Sequence, residues 1–403
     1  MIVPSQSGMH GRHRILYLID RIHAIGGGAE GVLFNMCRLL PDYGFQVSVA
    51  TFAVGDGVKE QFPCPIRILP NPALYHWSAI SRALAFRRLL RSEGIEIVHT
   101  FFPASDLWGG TVARLSRCPI VISSRRDMGI LRSSKHRIAY RLANSLFTQV
   151  QAVSEKVREY SIGHDHLSAD RVVTVPNGID CGAADASPAL DRGALGFCQN
   201  APLVITVANI RHVKGIDILL RAAALVCEQL PETMFLIVGE AHDPEYLRQL
   251  NELAEHLHLQ QNVNFLGGRN DVYGLLKACD LFCLPSRSEG MSNALLEAMA
   301  CRLPCIATDV GGNAEVLCDG LTGSLVPPEN PQALAAQIVR LLRDQALMKT
   351  MGTAGRRIAR ERFGVQHMIE QLFRLYLQLL QQRGLSGLMP TAPSPPCEVE
   401  HGL

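Results

Sequence analysis

Short apolar runs alternate with longer segments of helical periodicity along most of the chain. The apolar runs, which we expect to form strands, are residues 15–19, 47–52, 66–69, 95–99, 120–123, 150–153, 172–175, 203–208, 235–238, 263–266, 281–284 and 305–307. The segments that we expect to form helices include residues 31–40, 80–91, 107–115, 218–228, 244–257 and 293–301. Such repeated alternation predicts parallel sheets whose two faces are both covered by helices.

A turn and a polar stretch interrupt this alternation near the middle of the chain. A Pro-Asn-Gly turn signal occupies residues 176–178, and small or polar residues dominate 181–200. We therefore predict an α/β protein with two Rossmann-like, doubly wound parallel-sheet domains, residues 1–182 and 196–364. Two such domains face a cleft between the carboxyl ends of their sheets, where ligands bind in open α/β folds.

Two segments of different character follow the second domain. Apolar residues recur at helical spacing within 365–383, which predicts a helix with one buried face. Residues 384–403 are rich in Gly, Pro and Ser, and we expect them to be disordered.

The most informative motif follows the run at 281–284 and contains two glutamates, Glu289 and Glu297. Ser292 is a good N-cap residue, so a helix is expected to begin there, with Glu289 in the preceding loop and Glu297 in the helix. The unpaired N–H groups and the dipole at a helix start favour phosphate. Carboxylates on either side can accept hydrogen bonds from sugar hydroxyls, so the motif predicts a nucleotide-sugar site.

Two other interpretations of the glutamates fit the sequence less well. Two solvated side chains would be unremarkable, but apolar residues flank Glu297, and a buried carboxylate is rare without a partner. A glycosidase pair holds its carboxylates ~5–9.5 Å apart. Eight helical residues would span ~12 Å, and Glu289 precedes the helix, so the spacing does not favour a glycosidase.

Composition places the chain among globular proteins, and we expect it to be cytoplasmic. It has 403 residues, of which 47% are hydrophobic and 19% charged, and no apolar run is long enough to span a bilayer. Residues 1–14 lack the apolar segment of a secretory signal. The 12 cysteines are scattered without zinc-site spacing, so we expect reduced thiols and no metal site.

Positive charge is concentrated in the first half of the chain. The formal net charge is only +2, yet residues 1–200 contain 22 Lys and Arg against 16 Asp and Glu. Arginines cluster within 82–91 and 125–141, interleaved with apolar side chains. Two interpretations stay open: solvated helix faces, or contact with an anionic membrane surface.

Taken together, the motifs resemble those of the family 4 glycosyltransferases, which are retaining enzymes with the GT-B fold. The resemblance is carried by the run from Glu289 to Glu297 and by the motifs at 27–30, 175–180, 211–215, 237–240, 264–267, 285–286 and 308–312. It extends over roughly residues 14–380 in the family's order.

The resemblance implies a role for each matching residue. Glu289 would contact the hydroxyls of the donor sugar, while Arg211 and Lys214 would neutralise the diphosphate as the sugar leaves. Glu297 would accept hydrogen bonds from the ribose. The other implied donor-binding positions are Gly27, Gly28, Glu240, Leu266, Arg269, Gly290, Met291, Ser292 and Asn293. The helix at 365–383 would cross back onto the first domain, and neither a metal nor another cofactor would be needed.

The acceptor side departs from the family pattern. Many members carry a histidine after the strand at 120–123, where this chain has Ser-Ser-Arg-Arg-Asp. We expect Arg125 and Arg126 there instead, together with His99, which matches a common family histidine. The alternative for His99 is a packed core residue.

The function that we expect is transfer of a hexose-type sugar from a nucleotide diphosphate sugar to a hydroxyl acceptor in glycan, polysaccharide or glycolipid synthesis. The first domain would be the acceptor side and the second would bind the donor. Expected partners are the donor and a glycan or lipid-linked acceptor, without nucleic acid. An anionic membrane surface, at the inner face of the cell membrane, is a partner under the second interpretation of the arginine clusters. Two alternatives stay open: a non-catalytic nucleotide-sugar-binding regulatory or assembly subunit, and an epimerase or hydrolase of the same fold.

Overall fold

Two parallel sheets form the framework of the protein. The computed structural model describes residues 13–26, 28–69, 78–129 and 134–385. Within them, the first sheet has the strand order β3-β2-β1-β4-β5-β6-β7. Its strands are β1 (His13–Ile19), β2 (Phe45–Thr51), β3 (Ile66–Ile68), β4 (Ile97–Phe101), β5 (Ile120–Arg125), β6 (Gln149–Ala152) and β7 (Val172–Thr174).

The second sheet repeats this plan with the order β10-β9-β8-β11-β12-β13. Its strands are β8 (Leu203–Val207), β9 (Met234–Val238), β10 (Val263–Gly267), β11 (Leu281–Leu284), β12 (Cys305–Thr308) and β13 (Gly323–Val326). The predicted fold class is therefore confirmed. Strand β13 was not predicted, because its Gly-Ser-Leu-Val sequence is short and only half apolar; pairing with β12 makes it a strand.

Helices cover both faces of the sheets. They are α1 (Gly28–Leu39), α2 (Val58–Gln61), α3 (Ser78–Ser92), α4 (Thr111–Leu115), α5 (Ser134–Ala143), α6 (Glu155–His164), α7 (Cys181–Ala186), α8 (Ile216–Cys227), α9 (Pro244–His256), α10 (Val272–Ala278), α11 (Asn293–Ala300), α12 (Asn313–Val316), α13 (Pro331–Arg343), α14 (Gln345–Phe363) and α15 (Val365–Gln382). Among the helices of the described residues, none has the length and apolar character that spanning a bilayer requires.

The strand order reverses at one place in each sheet. In the first sheet, β1 has β2 and β4 as neighbours; in the second, β8 has β9 and β11. Helices diverge to opposite faces at such a point and leave a crevice at the carboxyl ends of the strands. The loops after β1, β8 and β11 are therefore placed to line a site.

Helix α15 packs on the first sheet rather than on the second. Its buried face joins the apolar core around β1, β2 and α1. The Tyr376 hydroxyl lies 3.1 Å from the Tyr17 hydroxyl and 2.8 Å from His99 Nδ1. Ile179 and the turn between α14 and α15 exchange backbone hydrogen bonds where the chain crosses back. The predictions for Gly27 and for residues 386–403 lie outside the described residues.

Candidate active site

An ion pair joins two loops at the switch point of the second sheet. Lys214 Nζ donates to Glu289 Oε1 at 2.6 Å, and Ser286 Oγ donates to the same oxygen at 2.7 Å. Lys214 ends a short helical turn after β8, and Glu289 lies in the loop after β11. The two loops meet because β8 and β11 are neighbours in the sheet. The Glu289 side chain is 7% exposed, so this pair is largely removed from water.

The backbone around Glu289 is packed against two glycines. Gly311, in the loop after β12, has φ +52°, and a Cβ added to it would lie 1.6 Å from the Glu289 carbonyl oxygen. A Cβ on Gly290 would lie 2.1 Å from the carbonyl oxygen of Arg126, a residue of the first domain. Only glycine allows both approaches. The loop that carries Glu289 is thus held against its own domain and against the opposite one.

The helix predicted after this loop begins where Ser292 caps it. The Ser292 side chain accepts a hydrogen bond from the backbone N–H of Leu295, and α11 starts at Asn293. That part of the prediction is confirmed. The N-terminus of α11 lies in the cleft, because Asn293 Nδ2 donates to the carbonyl oxygen of Gly28 at 2.6 Å.

Asn177 continues this connection between the domains. Its Nδ2 donates to Asn293 Oδ1 at 2.7 Å, and its Oδ1 accepts from Arg126 Nη2 at 2.7 Å. Met291 lies beside it and accepts from the Asn177 backbone through its sulfur. The start of α11, the loop after β1 and the loops after β5 and β7 therefore converge on one region of the cleft.

Arg211 is exposed and extends the positive charge of the cleft. It caps the turn that contains Lys214, and its charge acts on His23 and Glu30 of the first domain. Burial raises the pKa of Glu30, while the charges of Arg126 and Arg211 oppose that rise. Cations from both domains thus face each other across the cleft.

Glu297 lies on α11, one turn beyond the residues that line the cleft. Burial raises the pKa of its carboxyl to about 7. Tyr273 and Cys301 are close enough for the Glu297 charge to raise their pKa values too, in addition to the larger effect of burial. A carboxyl in such surroundings gains by accepting hydrogen bonds from a ligand.

Glu297→Gln should flatten the pH dependence of stability. The folded-state pKa of Glu297 lies above its ordinary value of 4.5, so the folded protein loses stability as the pH rises from about 4.5 to about 7. Glutamine cannot ionise and removes this loss. Urea denaturation at pH 5 and pH 8 measures the difference, with the exposed Glu252→Gln as control. If the free energy of unfolding changed between pH 5 and pH 8 by the same amount in Glu297→Gln as in the wild type, the prediction would be contradicted.

Arg287 fixes the turn that carries Lys214, which the sequence did not indicate. Its guanidinium donates to both carboxylate oxygens of Asp217 at 2.8 Å and to the carbonyl oxygen of His212 at 2.7 Å. It also contacts Glu329. Burial opposes ionisation of Asp217, but the hydrogen bonds and charge of Arg287 lower its pKa. Asp217 and Arg287 are 70 positions apart, so no local pattern in the sequence predicts their contact.

Arg287→Lys should lower kcat about 10- to 100-fold, because an ammonium group cannot reproduce the two-pronged contact and Lys214 would shift. Steady-state kinetics on the donor measure the effect. Glu329→Gln is the matched control, since it removes an exposed partner of Arg287 and should leave kcat within about twofold. Equal losses in both variants would show that the contact with Asp217 does not position the turn.

Three predicted donor-binding residues lie at the ends of β9 and β10. Leu266 is half-buried, whereas Glu240 and Arg269 are exposed. Arg269 pairs with Asp271 at 2.6 Å, and the Glu240 carboxylate lies 3.9 Å from His242. They share the sheet edge with Lys214 but make no contact with it, and their roles stay predictions.

The predicted acceptor-side residues separate into two groups. His99 is fully buried, and burial lowers its pKa to about 3, so the imidazole is neutral. Arg125 is 1% exposed and lies over the Tyr140 ring, 3.9 Å from both Asp106 and Asp165. The structure does not bring these two side chains into the cleft. Arg126, the next residue, does reach it.

Two family models match the chain in succession. The model described as Glycosyltransferase Family 4 matches residues 26–182, and the model described as Glycosyl transferases group 1 matches residues 189–358. Between them they account for most of the chain. The chain belongs to the family 4 glycosyltransferases.

Individual relatives agree with this assignment. The chain is 34% identical to an N-acetyl-alpha-D-glucosaminyl L-malate synthase of Bacillus anthracis, over 46% of this chain and 48% of that protein. It is 25% identical to an Escherichia coli UDP-Gal:alpha-D-GlcNAc-diphosphoundecaprenol alpha-1,3-galactosyltransferase, over 88% and 94% of the two chains. The Anabaena protein HepE, crystallised with UDP and glucose, superposes with a TM-score of 0.79 at 24% identity, over 91% and 99%.

This glycosyltransferase is therefore an enzyme with the GT-B fold. The two matching family models follow each other in the order that the two sheets do. The alternatives of a non-catalytic subunit and of an epimerase or hydrolase receive no support from these relatives, whose names describe synthesis or sugar transfer.

Proposed function

We propose that this glycosyltransferase moves a hexose-type sugar from a nucleoside diphosphate to a hydroxyl group of a glycan or lipid-linked acceptor, with retention of the anomeric configuration and without a metal ion. The second domain would bind the donor and the first would bind the acceptor. A diphosphoundecaprenol-linked sugar, named as acceptor for the Escherichia coli relative, is one acceptor of this kind.

The observation that carries the proposal is the pair of Lys214 and Glu289 beside the start of α11. The ammonium group and the free N–H groups of α11 would stabilise the two phosphates, and Glu289 would accept hydrogen bonds from the sugar. Arg211 adds a second cation from the same turn. Negative charge on the leaving diphosphate grows as the sugar bond breaks, so these groups would bind the transition state more strongly than the substrate.

Retention is proposed to follow from front-face attack. Glu289 is held by Lys214 and Ser286, and its proposed contacts are to the sugar hydroxyls rather than to the anomeric carbon. The acceptor hydroxyl would attack on the face that the diphosphate leaves, and a phosphate oxygen would take its proton. Trapping of a covalent sugar–protein adduct, or an inverted product in the NMR spectrum, would contradict this step.

A thermal-shift screen tests the donor half of the proposal. UDP, GDP, ADP and their common sugars are added one at a time, and the true donor should raise Tm because it binds only the folded form. Lys214→Met should lose part of this stabilisation, whereas the exposed Lys156→Met should keep all of it. No shift with any of these nucleotides in the wild-type protein would contradict the proposal.

Product analysis tests the acceptor half. With the donor from the screen and a lipid-linked sugar, the enzyme should release nucleoside diphosphate only in step with new glycosidic product. Release of free sugar without an acceptor would favour a hydrolase, and a changed sugar still attached to the nucleotide would favour an epimerase.

We also propose that the enzyme works at the inner face of the cell membrane. Helix α3 exposes Ile80 and Leu84, and α5 exposes Ile138 and Leu142, all beside exposed arginines. Apolar side chains amid basic ones suit an anionic lipid surface. The triple variant Arg87→Gln, Arg88→Gln, Arg91→Gln should reduce sedimentation with anionic liposomes. Unchanged binding would remove the membrane proposal.

A further inference from the structure

Arg126 is a cation in the cleft that the chemistry of the diphosphate does not use. It follows β5, and its guanidinium lies 5.7 Å from the centre of the Phe101 ring at the end of β4. Its Nη2 donates to Asn177 Oδ1, and its backbone carbonyl touches Gly290 of the second domain. The side chain therefore lies where both domains meet.

The guanidinium of Arg126 has no anionic partner in contact with it. An arginine has five N–H donors, and over the described ranges of the chain Arg126 uses one of them, toward the neutral amide of Asn177. No ion pair joins Arg126 to a carboxylate of the described residues, and Glu30 acts on it only at longer range. The side chain is half-buried, and burial lowers its pKa to about 10.

The neighbouring arginines make the contrast clear. Arg125 lies between two aspartates, and Arg287 grips Asp217 with two nitrogens. A partly desolvated guanidinium without such a partner is unfavourable unless a ligand supplies the missing anion. Arg126 is therefore a cation that is available to bind an anionic group of a ligand.

The position of Arg126 also limits which anion it could bind. Asn177 links Arg126 to Asn293 at the start of α11. Asn293 is four positions after Glu289, which is the residue proposed to contact the donor sugar. Arg211 and Lys214, the cations proposed to bind the diphosphate, follow β8 of the second domain, whereas Arg126 follows β5 of the first. A group bound by Arg126 would consequently lie beside the sugar and on the side of the first domain.

We propose that Arg126 binds a carboxylate or phosphate carried by one of the two substrates in addition to the nucleotide diphosphate. The inference rests on the proposed function and deepens it, since it makes the enzyme selective for an acidic substrate. The charged group has two possible sources: an acidic acceptor, or a donor whose sugar is a hexuronic acid. The planar guanidinium can donate two parallel hydrogen bonds to a carboxylate or to a phosphate, so it suits both kinds of anion.

The test compares matched charged and neutral probes on the full-length protein by calorimetry, which requires no turnover. The acceptor arm uses N-acetylglucosamine 1-phosphate against N-acetylglucosamine in the presence of the nucleoside diphosphate that stabilises the enzyme. The donor arm uses UDP-glucuronate against UDP-glucose. The variants are Arg126→Gln and Arg126→Lys, with Arg374→Gln, whose side chain is 77% exposed, as control.

In one arm, the wild-type protein should bind the charged probe about 10- to 100-fold more tightly than the neutral one. Arg126→Gln should abolish that preference, Arg126→Lys should keep part of it, and Arg374→Gln should keep all of it. Equal binding of both probes in both arms, or a preference that survives in Arg126→Gln, would overturn the inference. If the wild-type protein bound no nucleotide at all, the proposed function itself would be contradicted.

Discussion

Lys214→Met is expected to lower kcat about 100- to 1000-fold, the loss typical of removing one preorganised group that stabilises developing negative charge. The ammonium group lies at the switch point of the second sheet, 2.6 Å from Glu289 Oε1. Its charge matters most when the diphosphate leaves, so kcat should fall more than the KM for the donor rises. Steady-state kinetics with the donor identified by thermal shift measure both quantities.

Two further variants separate chemistry from folding in this result. Lys214→Arg keeps a cation at the position and should recover part of the activity, whereas Lys156→Met, at a position 55% exposed, should behave as wild type. The Tm of Lys214→Met without ligand reports any structural damage. A variant that keeps its Tm and more than about a tenth of its turnover would contradict the assignment of Lys214 to the leaving group.

Arg125→Met is expected to destabilise the folded protein by about 3–5 kcal/mol, because it removes the buried cation that lies beside two buried carboxylates. Asp106 is 1% exposed and Asp165 is 4% exposed, and Arg125 is 3.9 Å from each. Methionine fills similar space, so the loss reports charge rather than volume. Urea denaturation of the wild type and the variant measures it.

The destabilisation caused by Arg125→Met should depend on pH in a predictable direction. Burial raises the pKa of Asp106, and the charge of Arg125 opposes the rise, so removing Arg125 raises that pKa further. A buried acid with a raised pKa destabilises the fold progressively as the pH rises from its ordinary pKa to the raised one. The deficit of Arg125→Met should therefore be smaller at pH 5 than at pH 8. In the double variant with Asp106→Asn, the losses should be less than additive.

The two adjacent arginines are expected to give opposite phenotypes. Arg125→Met should unfold easily, and Arg126→Gln should stay folded but lose selectivity. The sequence placed both on the acceptor side, because nothing local distinguishes the residues of Ser-Ser-Arg-Arg-Asp. The pleat alternates successive side chains between the faces of the sheet, so β5 turns Arg125 toward Asp106 and Tyr140. Arg126, beyond the strand, reaches the cleft.

The alternation of apolar runs and helical segments determined the fold class, most strand positions and the start of α11, because these depend on hydrophobic periodicity and on local capping by Ser292. The sequence likewise predicted that Arg211, Lys214 and Glu289 lie in loops that follow strands. Only the tertiary structure decided which side chains meet, since pairing of β8 with β11 brings residues 75 positions apart into contact. Burial, the clamp formed by Arg287 and Asp217, and the unpaired charge of Arg126 depend on such long-range packing, which no local pattern encodes.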